Sequence, residues 1–534
     1  MSKIKMFSKR IHVKYKSIVS GNQSPASESV LKLLSTLSPC LANFGVQYNF
    51  QSIGVALLVM SAEQCTSTLE DCINGKQQPW VTGTISAVVF LGAICGQLSM
   101  GVLGDYISRN NALSITLLLS AISVLLSSIA PTGRASAVYA TIIVCRFFAG
   151  VGLGGIYPLS ATKASEDSAH AAGKTNSSGS AFAFVWQIPG MISPWLLAWI
   201  FTHSELSVNR QWRLLLGLGA IPLFLAILCL LLENHLRKEP FWCCRHRISL
   251  AARGATATEP DIEADASSYT GNKSTGPTWT NGENLQKLFA SGAPWFLYNL
   301  LFYGLSLLGG TVLRTMSNGD DHVTSVTHMR SLCSQQTVAL TLGILPMALN
   351  LVLLPRLSLK YLQLCGFLVQ AFFFVLFVCF FSYLKAHNAR GLFSLYCMVL
   401  MSLQVGVPVT TFALPAVLFE KKIRTTYNGI AAAMGKTGAI FGALSFYFIA
   451  RESLHAVLII CVVVALLGAF VTHYYILDGA LINDNASTQR STSEEMVELN
   501  GANGTEMDVS VRSDTSSGSN KDEEGLIYRQ VSFE

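Results

Sequence analysis

Charged residues are scarce in this chain of 534 residues. Asp, Glu, Lys and Arg together make up 13% of it, hydrophobic residues make up 51%, and the mean hydropathy is +0.44. A water-soluble protein of this size needs a larger charged surface, so that class of protein is excluded. The long uncharged runs instead predict a helical protein that crosses the lipid bilayer many times.

Catalytic and metal-binding groups are also lacking. The apolar runs contain no Ser/His/acid or Cys/His constellation, the histidines lie mainly in loops, and no pair among the 13 cysteines has the spacing of metal ligands. An enzyme is therefore the least favoured class, and we expect no catalytic residue, no metal, no cofactor and no nucleic-acid partner. Cys65 and Cys72, in the first predicted outer loop, are compatible with either a disulfide or two free thiols.

Twelve apolar runs are long enough to span a bilayer, which takes about 20 residues. The first six lie near residues 38–60, 80–104, 112–131, 137–161, 179–202 and 213–232, and the second six near 286–310, 334–354, 361–384, 391–416, 426–449 and 454–476. The predicted fold class is therefore an all-α polytopic membrane protein with twelve transmembrane helices in two six-helix bundles, at residues 38–232 and 286–477.

Three polar segments flank the bundles, and the basic residues predict the orientation. Residues 1–37 are basic and lack the apolar core of a signal peptide, residues 233–285 are typical of a linker, and residues 478–534 are typical of a disordered tail. An even helix count with basic loops on one face predicts that both termini and the linker are cytoplasmic. The plasma membrane is favoured over an endosomal, lysosomal or other organelle membrane. Residues 522–527, D-E-E-G-L-I, resemble an acidic dileucine signal, so the partners considered include a sorting adaptor, with a chance match as the alternative.

The stretch of residues 146–162, R-F-F-A-G-V-G-L-G-G-I-Y-P-L-S-A-T, places an arginine inside an apolar run. Gly150 and Gly154 are four residues apart and so share one helix face, where small residues let two membrane helices approach closely. Arg146 has two interpretations. It is either an intramembrane charge with a functional role or an arginine satisfied by backbone carbonyls or water.

The loop between the second and third predicted helices reads G-V-L-G-D-Y-I-S-R over residues 101–109. It resembles the major facilitator superfamily signature G-x-x-x-D-(R/K)-x-G-R-(R/K), although Tyr106, Ser108 and Asn110 depart from that pattern. The resemblance implies that Asp105 accepts hydrogen bonds from a helix N-terminus and that Arg109 pairs across the two halves, forming a latch that opens during transport. An ordinary surface turn is the alternative.

Further segments resemble the phosphate:proton symporter family of that superfamily. They are Arg146 with the glycines after it, G-G-I-Y-P-L-S-A at 154–161, F-V-W-Q at 184–187, W-F-L-Y-N at 295–299 with F-Y-G at 302–304, G-V-P-V-T-T-F at 406–412 and G-K-T-G-A at 435–439. The resemblance covers both predicted bundles. It implies a substrate site formed by Tyr157, Gln187, Trp295, Asn299 and Lys436.

Four positions that are polar or acidic in that family are replaced here. The acid before the Tyr-Pro pair is Ile156, the aspartate of the seventh helix is Asn299, the asparagine of the tenth is Pro408, and a following glutamate is Val417. The predicted spans contain no Asp or Glu away from a helix end, whereas Arg146 and Lys436 remain near mid-membrane. Because proton symport normally needs a titratable acid in the pathway, we expect weak proton coupling.

The retained cations predict the kind of substrate. An unpaired Lys or Arg costs about 2.5 to 3.5 kcal/mol at the bilayer centre, so two of them in one cavity without a carboxylate favour an anion. We therefore expect a secondary transporter that carries inorganic phosphate, an organic phosphate or another small anion by alternating access, with its site near the midplane. A Lys436 that loses its proton or reaches the membrane interface would weaken this argument. A facilitator for another organic solute and a non-transporting nutrient sensor on the same fold are the alternatives.

Overall fold

The structure is a computed structural model that describes residues 25–63, 79–131, 135–170, 176–238, 282–316 and 325–476. Cys65, Cys72, the sorting-signal segment, the tail from residue 477 and most of the linker lie outside the described residues. The helices, in chain order, are α1 (Pro25–Glu63), α2 (Pro79–Tyr106), α3 (Arg109–Ser128), α4 (Ala135–His170), α5 (Asn176–Val185), α6 (Gln187–Phe201), α7 (Val208–Gly217), α8 (Ala220–Arg237), α9 (Gly282–Met316), α10 (Ser325–Thr341), α11 (Ile344–Leu353), α12 (Leu359–His387), α13 (Ala389–Ser402), α14 (Val407–Leu418), α15 (Arg424–Glu452) and α16 (Leu454–Tyr475).

These helices make twelve membrane passages, because four consecutive pairs each form one continuous span. The pairs are α5 with α6, α7 with α8, α10 with α11, and α13 with α14. Eleven passages have the length and hydropathy to cross a membrane by themselves. The remaining one, α9, is 35 residues long. The predicted all-α, twelve-helix fold is confirmed.

The first helix begins at Pro25 rather than near residue 38, where the first apolar run was predicted to start. The segment before residue 38 contains Glu28 and Lys32 and is too polar to be recognised as a membrane span. It carries no residue that ends a helix, so the helix extends beyond the apolar run. Hydropathy therefore predicts where a helix is apolar, and not where its backbone hydrogen bonds end.

One helix break is held open by a buried asparagine. Between α13 and α14, Gly406 has a φ of 65°, in the left-handed region that favours glycine. Asn350 of α11 donates from Nδ2 to the carbonyl oxygen of Gln404 at 2.7 Å and accepts the N–H of Gly406 at 2.8 Å. Irregular backbone at membrane depth needs such partners because lipid supplies none. The break leaves Gln404 and Pro408 facing the centre of the protein.

The N-terminal half is assembled around close contact between α2 and α4. A Cβ atom at Gly150 would collide with the carbonyl oxygen of Val89, and one at Gly154 with that of Ala93. Gly96 of α2 makes the reciprocal contact with the backbone of α4. Close packing by Gly150 and Gly154 is therefore present, because only glycine leaves room for two helix backbones at this separation. In the C-terminal half, Gly438 and Gly442 of α15 pack in the same way against α9.

Buried ion pairs connect α4 to α8 at one end of the N-terminal half. Lys163 Nζ lies 3.0 Å from Glu233 Oε1 and 2.8 Å from Asp167 Oδ2, and Arg237 Nε lies 3.0 Å from Glu233 Oε1. The side chains of Lys163 and Glu233 are only 3% and 1% exposed. At this depth each charge depends on its partners, because an uncompensated buried charge is strongly destabilising.

The two halves contact each other mainly through α2 and α15, α5 and α14, and α6 and α10. At the first of these contacts, a Cβ atom at Gly101 would lie 3.0 Å from the carbonyl oxygen of Thr425, and one at Gly429 would collide with the carbonyl oxygen of Gln97. The halves therefore touch backbone to backbone on one side of the central cavity.

Candidate functional site

A small cavity lined by residues of both halves lies between them. Its walls include all five residues predicted to bind substrate, namely Tyr157, Gln187, Trp295, Asn299 and Lys436. They come from α4 and α6 in one half and from α9 and α15 in the other. The structure thus brings together side chains that are up to 279 positions apart in the sequence (436 − 157). Their role in binding stays a prediction.

Local sequence explains how several of these side chains reach the cavity. Gln187 is the first residue of α6, directly after the break at Trp186. Trp295 and Asn299 are four residues apart on α9 and so share one helix face. Gly435 lets that face approach α15, because a Cβ atom there would lie 2.8 Å from Trp295 Cδ1 and 3.0 Å from Asn299 Nδ2. Lys436, the next residue, is thereby placed beside α9.

Lys436 is the charged residue among those lining the cavity, and it is 2% exposed. Its Nζ donates to the Tyr303 hydroxyl oxygen at 2.7 Å. No carboxylate of the described residues lies within 4.0 Å of it, the limit for an ion pair. A cation at this depth favours an anion in the adjacent space, because the protein side chains described supply no opposite charge.

Aromatic rings surround the ammonium instead of acids. The Lys436 nitrogen lies 4.3 Å from the ring centroid of Phe50, 4.4 Å from that of Tyr303, 4.9 Å from that of Tyr157 and 5.5 Å from that of Phe90. Each distance is within the roughly 6 Å over which a ring attracts a cation. Phe50, Phe90 and the direct role of Tyr303 were not predicted from the sequence. Tyr303 lies in the F-Y-G motif at 302–304, so that motif was a usable signal for it.

The rest of the cavity wall presents neutral hydrogen-bonding groups. Gln187 Nε2 donates to Asn43 Oδ1 at 3.0 Å, and Asn43 Nδ2 donates to Ser160 Oγ at 3.1 Å, so the Gln187 side chain is held in place. The side chains of Trp295 and Asn299 are 5% and 4% exposed and have no hydrogen bond to another described residue. Their N–H donors are therefore available to a ligand.

Arg146 does not share this cavity. It is fully buried, its Nη1 donates to the carbonyl oxygen of Asn49 at 3.3 Å, and its Nε and Nη2 have no partner among the described residues. The expectation of two cations in one cavity is therefore wrong. Arg146 precedes Tyr157 by eleven residues on α4, about 16 Å along the helix axis, so it lies at a different depth. This one backbone contact leaves two of the three guanidinium nitrogens without a partner among the described residues, so the role of Arg146 stays a prediction.

The last turn of α2 joins the two halves through Asp105. Its carboxylate accepts the backbone N–H of Thr425 at 3.2 Å, the N–H of Thr426 at 2.8 Å and the hydroxyl of Thr426 at 2.6 Å. These groups form the N-terminus of α15, where the helix dipole favours a negative charge. The hydrogen bonds expected from Asp105 are present, and its role as a latch stays a prediction.

Arg109 extends this contact. It pairs with Asp105 at 3.0 Å and with Glu166 at 3.2 Å, and its Nη2 donates to the carbonyl oxygen of Lys421 in the opposite half at 3.3 Å. Arg424, also in the opposite half, lies 3.7 Å from Glu166. Glu166 was not predicted, since an acid at the end of a membrane helix is usually solvated. We call the contacts of Asp105, Arg109, Glu166 and Arg424 the loop-end latch.

The opposite end of the interface is also closed. Arg330 of α10 donates to the carbonyl oxygen of Thr202, at the end of α6, at 2.8 Å. Met329 and Cys333 of α10 pack into a hydrophobic cluster with residues of the N-terminal half such as Trp212. Over the residues that the structure describes, the halves therefore meet on both sides of the cavity, as in an occluded conformation.

Comparisons with known proteins agree with this architecture. A sequence model of the sugar (and other) transporter family matches residues 36–477. The inorganic phosphate transporter PT2 of Toxoplasma gondii is 30% identical over 446 residues, which cover 83% of this chain and 72% of that protein. The inorganic phosphate transporter 1-11 of Oryza sativa subsp. japonica is 27% identical over 441 residues, covering 75% of this chain and 77% of that protein.

Solved structures show the same fold. The partially occluded, inward-open xylose transporter XylE from E. coli matches with a TM-score of 0.57, covering 84% of this chain and 97% of that one at 14% identity. A D-xylose-proton symporter matches with a TM-score of 0.58 at 16% identity, covering 84% and 98% of the two chains. At such low identity the likeness concerns the arrangement of helices alone.

Proposed function

The chain belongs to the sugar (and other) transporter family of the major facilitator superfamily, and from that premise we propose that it carries a small anion, inorganic phosphate first, by alternating access. It is an integral membrane protein of a transporter family, not an enzyme family. The substrate and the coupling to other ions are the proposed part.

The observation that carries the proposal is the charge balance of the cavity. Lys436 is a buried lysine, and the described lining residues include no acid that balances its ammonium form. A monoanion beside Lys436 would leave the filled cavity neutral, whereas a cation would double the unbalanced charge. Tyr157, Gln187 and Trp295 add neutral donors, which suit the several oxygen atoms of phosphate.

The relatives support phosphate over other anions. PT2 of Toxoplasma gondii and the plant proteins are named as inorganic phosphate transporters. This chain keeps the tyrosine, glutamine, tryptophan and lysine of the phosphate-family pattern. It carries Asn299 where that pattern has an aspartate, so the cavity wall described here offers no carboxyl group to take up a proton. We infer that a proton gradient drives transport weakly or not at all.

The two closed ends of the interface support alternating access. Opening the loop-end latch would expose the cavity on one side, and releasing Arg330 from Thr202 would expose it on the other. The basic residues beside the latch, such as Lys421 and Lys422, favour the cytoplasmic side for that end. We infer that both termini are cytoplasmic and that the plasma membrane is the first membrane to examine.

Uptake by purified protein in proteoliposomes tests the proposal. Labelled phosphate should enter, unlabelled phosphate should compete, and a neutral hexose should not. Lys436→Met should abolish uptake, whereas Lys385→Met, which removes an exposed lysine at the end of α12, should not. Adding a sugar phosphate and sulfate as competitors separates inorganic phosphate from other anions.

Two results would overturn the assignment. Uptake of a neutral solute that anions do not affect would identify a facilitator for another substrate. Phosphate-induced thermal stabilisation without any uptake would identify a non-transporting sensor. Phosphate accumulation that follows an imposed proton gradient would contradict the inferred weak coupling.

A further inference from the structure

The rings nearest to the Lys436 ammonium come from both halves of the protein. Lys436 and Tyr303 belong to the C-terminal half, whereas Phe50 lies on α1 and Phe90 on α2 of the N-terminal half. Phe50 and Phe90 are not among the residues that line the cavity, although the ammonium lies within 4.3 Å and 5.5 Å of their centroids. A cation of one half is thus held against aromatic rings of the other half.

This arrangement leaves the ammonium little freedom to bind a ligand. A lysine ammonium has three N–H donors, and the Tyr303 hydroxyl oxygen accepts one of them at 2.7 Å. The rings of Phe50 and Tyr157 also lie within 5 Å of the nitrogen, which has two remaining donors. One N–H cannot point at a ring face and at an anion at the same time. An anion that binds Lys436 must therefore replace at least one ring contact.

We propose that Phe50 and Phe90 hold the Lys436 ammonium in the empty cavity and compete for it with the substrate anion, so that anion binding releases a contact between the two halves. The proposal rests on the proposed function for the identity of the anion. The ring quadrupole and the anion attract the same positive charge, so strengthening one contact weakens the other. A ligand shifts a conformational equilibrium only through such a difference in contacts between states.

Replacing each phenylalanine separately tests the competition. Phe50→Leu and Phe90→Leu keep an apolar side chain but remove the ring, so phosphate should bind either variant about two- to fivefold more tightly. The dissociation constant is measured by titrating the purified full-length carrier with inorganic phosphate and following its thermal unfolding. Phe374→Leu is the control, because Phe374 is a fully buried ring on α12 without a contact to the ammonium, and its phosphate affinity should equal that of the wild type.

A second measurement needs no ligand. In the empty carrier, Phe50→Leu should lower the thermal unfolding temperature more in the wild-type background than in a Lys436→Met background, because only the former loses attraction between ring and cation. The same cycle with Phe90→Leu provides an independent test if one variant cannot be purified. An equal drop in unfolding temperature in both backgrounds would refute the attraction between ring and cation.

The outcomes separate this inference from the proposed function. If phosphate neither stabilises the wild-type protein nor is transported by it, phosphate is refuted as the substrate. The ligand-free double-mutant cycle then decides alone whether the rings hold Lys436. A wild type that binds phosphate, together with unchanged or weaker binding in both leucine variants, refutes the competition and leaves the proposed function standing.

Discussion

Asp105→Asn should open the loop end of the carrier and slow transport. The Asp105 carboxylate, 7% exposed, accepts three hydrogen bonds from Thr425 and Thr426 and pairs with Arg109. Asparagine has nearly the same shape but only one acceptor oxygen and no charge. The amide nitrogen of asparagine would face some of the N–H and O–H groups that now donate to the carboxylate. Two donors cannot hydrogen-bond to each other, so those bonds would be lost.

The size of the effect follows from these contacts. A hydrogen bond to a charged group contributes about 1.5 to 3 kcal/mol, and the charge at the α15 N-terminus adds about 0.3 to 1 kcal/mol. Because asparagine keeps one acceptor, we expect the closed loop end to lose roughly 3 kcal/mol relative to the open one, which is about 150-fold in the equilibrium constant. Expression should stay near normal, since the asparagine side chain has nearly the same shape as the aspartate it replaces.

Accessibility of a buried position between α2 and α15 provides the assay. Gln97→Cys places a thiol where the native side chain is fully buried. Labelling of this thiol by an impermeant maleimide reports opening at the latch end. A parent protein that keeps Gln97 gives the background labelling. Asp105→Asn should speed this labelling and lower phosphate turnover. Asp167→Asn is the matched control, because among the described residues Asp167 pairs with Lys163 and Arg237, both of its own half. Wild-type labelling and turnover in Asp105→Asn would refute the reasoning and identify an ordinary turn.

Other predictions concern the cavity, the N-terminal half and the topology. Lys436→Met should leave the empty carrier at least as stable as the wild type. The phosphate-induced stabilisation, about 2.7 kcal/mol at a hundredfold excess over Kd, should disappear from its thermal unfolding curves. Lys436→Arg should give intermediate uptake. Asn299→Asp should make uptake depend on pH, and a flat pH profile in that variant would contradict the idea that this position supplies coupling. Lys163→Met should destabilise the protein by about 3 kcal/mol or more, because it leaves the buried Glu233 charge undercompensated, whereas Lys385→Met should change the unfolding temperature little. Tags at both termini should be accessible to antibody only after the membrane is permeabilised, and labelling of either tag on intact cells would contradict the topology.

Much of the candidate site could be predicted because its residues lie in short continuous motifs. Trp295 and Asn299 share a helix face by their spacing alone, and Gly435 beside Lys436 predicts close contact between that helix and a neighbour. Asp105 was found by the same kind of local pattern. Glu166 was not, because its partners Arg109 and Arg424 approach it from other segments of the chain.

The sequence by itself determined the class of the protein, its twelve helices and the absence of acids from the predicted spans, since composition and helix spacing are local properties. Only the tertiary structure decided which buried charges act together. It separated Arg146 from Lys436, because two cations in neighbouring helices can lie at different depths. It also placed Phe50 and Phe90 around Lys436. Along the chain these rings look like any lipid-facing phenylalanine, and only the tertiary structure places them beside a cation.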